Sequence, residues 1–534
     1  MRPDSGAGGY QSPARYAEEC VPAHGERDIP SRTDAVARDF SHSLGGPIGR
    51  HAVIGRQKYL TPVRFILLVA LVFLALGWST KAGCLQQHIS QSGPDKGRLA
   101  LDWDGNRPFT AMCYSDIIPL YTAEKLNDKK QFPYLASWFD NQGQPNQVRR
   151  YMEYPVLTGM YMYVSARVAD VWMDSPLPKP LAVVAFFTIV ALGLALFWLV
   201  TVWATAILAG RRIWSAMLAA ASPLVMVHAF TNFDAIATAL LALAMLFWAK
   251  KNPVLAGAFI GLGMAAKLYP AFLLLPLLVL CLRSGKMRQF GITALTAVAV
   301  WLAVNLPFMV VAPRGWWEFI QHNTQRGPDP DTLYNALSVF GGVDWGADKF
   351  GQSNVVNWLS LLLFVAVCAA IAYVGLSAPT RPRVAQLMFL VVAGFLITNK
   401  VWSPQYSLWL VPLAVLAIPH TRILLAWMAV DAFVWVPRMG MYLGVQHKGV
   451  PPEWFVGAVL VRDIAVLALC ALVVYQIYRP DQDLVRGKGL HTADDPIGGV
   501  LDRAPDVLRL RGLRLRRDAR QEPLAAVGPV VVDH

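Results

Sequence analysis

Charged residues are scarce in this chain. They make up 16% of its 534 residues, whereas hydrophobic residues make up 55% and the mean hydropathy is +0.40. A soluble globular protein has about 25% charged residues, which form the surface that faces water. The scarcity of charge therefore excludes a soluble enzyme, a secreted disulfide-rich domain and a disordered interaction hub.

Long apolar runs are present instead, for example from Leu181 to Leu208 and from Gly291 to Val311. About 20 apolar residues suffice for one helix to cross a bilayer. The sequence thus predicts an all-α polytopic membrane protein. Its net charge of +13 serves first as a topology signal, because short positively charged loops stay in the cytoplasm.

Clusters of Lys and Arg between the apolar runs assign the loops to the two sides of the membrane. If every cluster is cytoplasmic, the chain crosses twelve times and both termini lie in the cytoplasm. The predicted spans are 61–78, 181–208, 213–230, 233–249, 253–266, 270–282, 290–311, 356–376, 384–398, 405–419, 421–438 and 456–477.

Two segments do not fit a simple crossing. A span from Tyr154 to Met173 would invert every later loop, so this segment is predicted to be an interfacial or re-entrant helix on the outer surface. The two runs within 253–282 have about 14 residues each and would reach only about 21 Å across about 30 Å of hydrocarbon. They are predicted to form a broken pair that meets at Lys267 to Pro270.

Three regions follow from this pattern. Residues 1–58, rich in Gly, Pro and Ser, predict a disordered cytoplasmic tail. Residues 59–478 form the membrane domain, with long outer loops at 79–180 and 312–355. Residues 479–534 are predicted to be a basic cytoplasmic tail, and we interpret its Leu- and Arg-rich run at 507–517 as a solvated charged segment rather than a lipid-surface scaffold. No aromatic residue interleaves with these arginines, which disfavours nucleic-acid binding.

Cysteine is also scarce, with six residues in the chain. Cys281, Cys368 and Cys470 lie within apolar runs, where a thiol behaves as a small hydrophobic group. Cys84 and Cys113 share the first outer loop, and their spacing alone leaves open whether they pair or remain free.

Polar and ionisable residues collect on the predicted outer side. The predicted cytoplasmic turns between residues 209 and 424 contain no carboxylate, so solubility alone does not account for the distribution. We therefore predict a functional cleft at the outer membrane face. Asp116 is its candidate catalytic residue, and its candidate substrate-binding residues are Tyr114, Tyr121, Glu153, Asp234, Lys267, Tyr269, Arg326, Lys400, Gln405, Tyr406, Arg438 and His447.

The chemistry of these residues suggests sugar transfer from a lipid phosphate to a hydroxyl group. Asp116 precedes Ile-Ile-Pro-Leu, which is typical of a helix N-cap, but a carboxylate there can also act as a general base. Asp234 and Lys267 stand at the ends of apolar helices, where an ionisable group is usually paired or functional. The structural alternative is a single ion pair between the two that holds the helix ends together. Cations in such a site offset the charge on a departing phosphate.

Several short motifs resemble glycosyltransferase family 87, a group of multi-spanning, lipid-sugar-dependent enzymes of the C fold. The resemblance extends from about residue 60 to 478. The motifs are Tyr114-Ser115-Asp116-Ile117 with Tyr121, Phe132-Pro133-Tyr134, Glu153-Tyr154-Pro155, Phe233-Asp234-Ala235, Lys267-Leu268-Tyr269-Pro270 and Ser403-Pro404-Gln405-Tyr406.

The resemblance implies that Asp116 is the catalytic base. It also implies a polyprenyl-phosphate sugar donor, with mannose as the expected sugar, a glycan or glycolipid acceptor of the cell envelope, and no metal or other cofactor. The source implied is actinobacterial. Val156 follows Tyr154-Pro155, whereas characterised mannosyltransferases of this group commonly have a second proline. No motif locates their supporting histidine, and His447 is our candidate for it.

A transporter or flippase of lipid-linked sugars is the main alternative, because twelve spans with both ends inside are common among transporters. Many transporters contain internal repeats and bind substrate near the midplane. The two halves of this chain are not similar, and its charged residues lie at helix ends. We therefore expect a plasma-membrane glycosyltransferase with an extracytoplasmic active site.

Overall fold

A computed structural model describes residues 38–39, 59–91, 96–141, 147–346, 353–486 and 495–510. Most of the predicted disordered tail, 1–58, and the end of the chain, 511–534, lie outside the described residues. The helices in chain order are α1 (Pro62–Lys81), α2 (Arg107–Thr110), α3 (Ile117–Ala123), α4 (Val156–Asp174), α5 (Ala182–Leu208), α6 (Met217–Ala220), α7 (Pro223–His228), α8 (Asp234–Ala249), α9 (Pro253–Ala266), α10 (Leu274–Ser284), α11 (Met287–Val311), α12 (Pro313–Gln325), α13 (Leu333–Gly341), α14 (Asn354–Ser377), α15 (Val384–Thr398), α16 (Ser407–Ala417), α17 (Thr421–Phe433), α18 (Trp435–Leu443) and α19 (Pro452–Tyr478).

Single turns of 3-10 helix and two β-hairpins complete the described chain. The hairpins pair β1 (Gln87–Ile89) with β2 (Leu99–Leu101) and β3 (Trp138–Asp140) with β4 (Val148–Arg150), both antiparallel. The 3-10 segments are Ala82–Leu85, Asp104–Asn106, Gly210–Ala216, Tyr269–Leu273, Pro404–Tyr406, Val445–His447, Pro480–Gln482 and Gly499–Leu501. Both hairpins lie in the long first loop, where the sequence predicted interfacial helices.

Six helical segments of the described chain are long and apolar enough to cross a membrane. They are α1 with the turn that follows it, α5, α11, α14, α17 together with α18, and α19. Leu361, Leu362 and Val365 of α14 are exposed, which is the arrangement expected of a helix whose solvent is lipid. The chain is therefore a helical protein of the membrane type, and the predicted count of twelve crossings stays a prediction.

Shorter apolar helices form the core of the bundle. Every residue of α16 and most residues of α8 and α15 are buried, as expected of helices that are hydrophobic on all sides. Helix α9 crosses α11 at close range, because a Cβ atom on Gly257 or Gly261 would lie 2.3 or 2.4 Å from a carbonyl oxygen of α11. Small residues four apart allow such close helix contacts in membranes.

The segment predicted to cross at 213–230 is not one continuous helix. This segment consists of the 3-10 turn Gly210–Ala216 followed by α6 and α7. Pro223 has no N–H to continue the preceding helix, and the Ser222 side chain instead accepts a hydrogen bond from the N–H of Leu224 and begins α7.

The predicted break between the two short apolar runs is present. Helix α9 ends at Ala266, Lys267 has an extended backbone, and a 3-10 turn begins at Tyr269 before α10. The sequence signal is the Tyr-Pro pair after Lys267, because Pro270 has no N–H to donate and its ring would clash with the carbonyl of Ala266 if α9 continued through it. Helix α4, which covers the segment predicted to be interfacial, is not among the six candidate spans.

The C-terminal segment packs on the membrane domain before the run at 507–517 begins, and residues 507–510, the part of that run that the structure describes, are exposed. Asp483 and Arg383 are buried and form an ion pair of 2.8 Å. Arg383 also donates to the carbonyl oxygens of Leu416 and Ala417 at the end of α16. Arg383 therefore binds groups of its own chain rather than water.

Residues 495–510 also contact the membrane domain. Asp495 accepts a hydrogen bond from the N–H of Val384, and Asp506 forms a 2.6 Å ion pair with Arg283. Gly499 has a φ of +59°, and a Cβ atom there would lie 2.0 Å from the carbonyl oxygen of Trp248. Only glycine fits this approach to the end of α8.

The Arg383→Ala variant should lower the free energy of unfolding by about 3 kcal/mol or more, because it leaves the Asp483 carboxylate buried without a counter-charge. The double variant Arg383→Ala/Asp483→Asn should lose less, since the buried charge is removed. Thermal unfolding of the purified protein measures both. Arg422→Ala, at an exposed position, is the control, and an equal melting temperature for Arg383→Ala and the control would contradict the prediction.

Candidate active site

A cavity of about 320 Å³ lies where the first long loop, the break after α9, helix α12 and the turn before α16 meet. Seven of the predicted site residues line it: Tyr114, Asp116, Glu153, Lys267, Arg326, Gln405 and Tyr406. The volume is in the range of small-molecule sites. One cavity thus brings together a carboxylate and two cations that are up to 210 positions apart in the sequence.

Asp116 lies at the start of α3, but its side chain makes no capping hydrogen bond. The N-cap interpretation of its side chain is therefore wrong. Its Oδ2 atom instead accepts a hydrogen bond of 2.8 Å from the Asn232 amide, which also donates to the Tyr154 hydroxyl at 3.0 Å. The backbone N–H of Asp116 donates to the carbonyl of Thr231. These contacts fix the carboxylate at the cavity wall.

Tyr114 lines the same wall as Asp116. Burial and the neighbouring Asp116 carboxylate raise the pKa of the Tyr114 hydroxyl above its usual value. The hydroxyl therefore stays protonated at neutral pH and can donate a hydrogen bond.

Lys267 forms an ion pair of 2.6 Å with Asp234 and also lines the cavity. Its ammonium group lies 4.4 Å from the centre of the Tyr406 ring, a distance typical of cation–π contacts. Asp234 is buried, does not line the cavity, and also accepts a 2.7 Å hydrogen bond from the Trp409 indole. The pairing that we considered as an alternative is thus present, and it leaves Lys267 at the cavity surface.

Arg326 lines the cavity and forms a 2.6 Å ion pair with Asp329. Lys400, also predicted to be in the site, does not line the cavity. Its ammonium group donates to the carbonyl of Arg326 at 2.6 Å and to that of Thr324. Lys400 therefore holds the segment that carries Arg326.

Glu153 and His322 face each other in the cavity, with 3.5 Å between His322 Nε2 and a Glu153 carboxyl oxygen. Burial, together with Arg326 and Arg150, lowers the pKa of His322 to about 4. The imidazole is thus neutral at pH 7, and this contact is not an ion pair. Burial raises the pKa of Glu153, and so does the charge of Asp116, whereas Arg326 and Arg150 act in the opposite direction.

Two predicted aromatic residues lie in the core rather than in the cavity. Tyr121 packs on Phe186 with 4.9 Å between ring centres. Tyr269 stacks on Trp409 at 4.1 Å, and its hydroxyl lies 3.1 Å from that of Thr238. Both tyrosines were predicted to bind substrate because they share motifs with residues that line the cavity. Both instead pack between the helices behind the cavity.

Two predicted ionisable residues also lie outside the cavity lining. Arg438 forms a 3.0 Å ion pair with the buried Asp331. His447 lies in the exposed turn Val445–His447. Among the described histidines, His322 lines the cavity and His447 does not.

Sequence reasoning missed Asn232, Phe319, His322 and Asn323 among the residues that line the cavity. One face of α12 carries Phe319, His322 and Asn323, and Arg326 follows the helix on the same side. Residues spaced three to four apart share a helix face. That spacing is a signal that the sequence offered. Asn232 had no such signal, since it only precedes Asp234 in a short polar stretch.

Residues 172–399 match the family model of glycosyltransferase family 87. The predicted family resemblance is confirmed. The matched segment contains Lys267, His322 and Arg326, and it begins after Asp116 and Glu153.

Two curated proteins are similar to the chain. It is 26% identical over 295 residues to the polyprenol-phosphate-mannose-dependent alpha-(1-2)-phosphatidylinositol mannoside mannosyltransferase of Mycobacterium tuberculosis, which is 52% of this chain and 66% of that protein. It is 22% identical over 216 residues to GPI mannosyltransferase 1 of Kluyveromyces lactis, which is 40% of this chain and 54% of that protein. The chain thus matches between about half and two thirds of the length of these relatives.

Among solved structures, the chain is similar to the apo oligosaccharyltransferase of Archaeoglobus fulgidus. The sequence identity is 13% and the TM-score is 0.36, over 79% of this chain and 56% of that one.

Proposed function

We propose that the protein is a membrane glycosyltransferase that transfers mannose from a polyprenyl phosphate to a hydroxyl group of a cell-envelope glycan or glycolipid. The observation that carries this proposal is that one cavity contains the Asp116 carboxylate, fixed by an amide, together with Lys267 and Arg326. A positioned base and nearby cations are what this reaction requires. Family 87 and the names of both curated relatives support mannosyl transfer.

In the proposed reaction, the acceptor hydroxyl donates a hydrogen bond to the Asp116 carboxylate. The oxygen of the acceptor hydroxyl forms a new bond to the anomeric carbon of the sugar, while the bond from that carbon to the phosphate oxygen breaks. The hydroxyl proton passes to Asp116, and the polyprenyl phosphate departs with the bonding electron pair. Lys267 and Arg326 stabilise its negative charge, and neutral His322 contributes a hydrogen bond without adding charge.

The donor assignment rests on the name of the mycobacterial relative, which depends on polyprenol-phosphate-mannose. Side-chain cations can offset the phosphate charge, so the proposal includes no metal. In the described residues, the cluster whose ligand atoms could hold a metal ion comprises His88, Asp102 and Asp104, and none of these three lines the cavity.

The break at Lys267 is the observation that favours the alternative, a transporter or flippase of lipid-linked sugars, because transporters bind substrates at discontinuous helices. Such a protein needs no base. The hydrogen bonds that fix Asp116 at the cavity wall therefore favour the enzyme.

We further propose that the cavity faces the outside of the plasma membrane and that both termini are cytoplasmic. The distribution of Lys and Arg supports this orientation. The structure also has a disulfide between Cys84 and Cys113 in the first long loop, and disulfides persist mainly outside the cytoplasm.

Asp116→Asn should lower the rate of mannosyl transfer by about 100-fold or more, because it keeps the size of the side chain but removes the base. The assay uses purified protein, polyprenyl-phosphate mannose and extracts of cell-envelope glycans and glycolipids. Asp104→Asn, at an exposed position, is the matched control. Unchanged turnover by folded Asp116→Asn would remove Asp116 from the mechanism, whereas absence of transfer by the wild type would favour the transporter alternative.

Lys267→Met should weaken binding of polyprenyl-phosphate mannose by about tenfold or more, because the phosphate loses a charged donor. Lys267→Arg should restore binding only in part, since a guanidinium and an ammonium differ in shape. The double variant Lys267→Met/Asp234→Leu leaves no buried unpaired carboxylate, so it should fold and still bind the donor weakly. Wild-type donor affinity in this double variant would show that Lys267 is only structural.

The topology predicts that an impermeant thiol reagent labels Lys130→Cys in intact cells and does not label Lys250→Cys. Both positions are exposed, so accessibility within the protein is matched. The background lacks the four cysteines outside the disulfide, which are Cys20, Cys281, Cys368 and Cys470. Labelling at position 250 in intact cells would reverse the proposed orientation.

A further inference from the structure

Lys81, the last residue of α1, is 1% exposed. Its ammonium group donates a hydrogen bond of 3.0 Å to the carbonyl of Tyr114 and lies 4.8 Å from the centre of the Trp435 ring. In the part of the chain that the structure describes, no carboxylate lies within 4.0 Å of this ammonium group. A buried lysine without an ion-pair partner is energetically costly, so its presence requires a reason.

The segment that Lys81 contacts is the one that carries Asp116. Residues 112–116 precede or begin α3, and Met112 has a left-handed backbone with φ of +53°. Cys113 forms its disulfide with Cys84, which follows Lys81 by three positions. The end of α1 and the 3-10 turn after it therefore hold this segment through a hydrogen bond to Tyr114 and a disulfide to the adjacent Cys113.

Trp435 contacts both Lys81 and the segment that carries Asp116. Its indole N–H donates to the carbonyl of Met112 at 2.9 Å, and its ring lies against the Lys81 ammonium group. His228, also buried, packs edge to face on this indole at 5.3 Å. The Asp116 carboxylate lies within electrostatic range of Lys81, and Lys81, Arg438 and Arg462 all lie within electrostatic range of His228.

We infer that Lys81 is a positioning residue for Asp116. The inference rests on the proposed function. By fixing the carbonyl of Tyr114, two residues before Asp116, the ammonium group sets the direction in which the carboxylate leaves the backbone. Misplacement of a catalytic group by about 1 Å can reduce a rate by about 100-fold, so a single hydrogen bond at this point has a large effect on turnover.

A purely structural role makes a different forecast. Methionine has nearly the same length as lysine and carries no charge, so it should fill the site without the cost of a buried cation. Replacement of a buried charge by an apolar side chain is often neutral or stabilising. A lysine retained for stability alone should therefore be replaceable, whereas a positioning lysine should be required for the rate.

The test compares the full-length wild type, Lys81→Met and Lys81→Arg in the mannosyl transfer assay. We expect Lys81→Met to lower kcat per folded protein by about tenfold or more. We expect its KM for polyprenyl-phosphate mannose to stay within about twofold and its melting temperature to be unchanged or raised. Lys81→Arg keeps the charge and a donor and should recover part of kcat. Lys250→Met, at an exposed position directly after α8, is the matched control.

A wild-type kcat in Lys81→Met overturns the inference, and so does a loss of activity that only follows the loss of folded protein. Failure of the proposed function and failure of the inference alone give different results. Absence of transfer by the wild-type protein contradicts the proposed function and the inference together. Transfer by the wild type and by Lys81→Met at equal kcat contradicts the inference alone.

Discussion

The ion pair between Lys267 and Asp234 is the interaction on which the cavity depends. Helices α8 and α9 have 16 and 14 residues and are therefore about 24 and 21 Å long, less than the roughly 30 Å of a hydrocarbon core. Their ends cannot rely on water, so polar groups there need partners within the protein. The N-terminus of α8 favours the negative charge of Asp234, and Asp234 in turn balances Lys267 at the break. The pair satisfies two helix ends and leaves one cation at the cavity surface.

The same physical requirement explains why so many polar residues surround the cavity without lining it. Lys400 binds the carbonyl of Arg326, and Asp329 pairs with its guanidinium. Lys81 binds the carbonyl of Tyr114. Each lies behind a residue that faces the cavity and fixes its backbone or side chain. A site formed by loops and broken helices has few regular backbone hydrogen bonds, so side chains supply the missing ones.

Sequence reasoning located the apolar helices because their hydrophobic runs are long, and it located the break at Lys267 because two short runs flank a Tyr-Pro pair. It failed at 213–230, where composition is apolar but Ser222 and Pro223 begin a new helix. In the site, the sequence shows which ionisable residues lie near helix ends, but not the direction of their side chains. Lys400 and Arg326 are both cations that follow the end of a helix, yet only Arg326 lines the cavity. His447 was chosen for its position in an outer loop, whereas His322 shares one face of α12 with Phe319 and Asn323, a spacing that sequence reasoning did not use.

Helix α8 relates the docked C-terminal segment to the cavity. At its first residue, Asp234 contacts Lys267 and Trp409, and at its other end Gly499 lies against the carbonyl of Trp248. Ions and hydrogen bonds hold one end and close backbone packing holds the other, while nearly all residues between them are buried. Close-packed interiors yield little to displacement. The position of α8 along its axis, and with it the position of Lys267 at the cavity surface, is therefore set by contacts at both ends of the helix, although Lys267 and Gly499, which make two of these contacts, are more than 200 positions apart in the sequence.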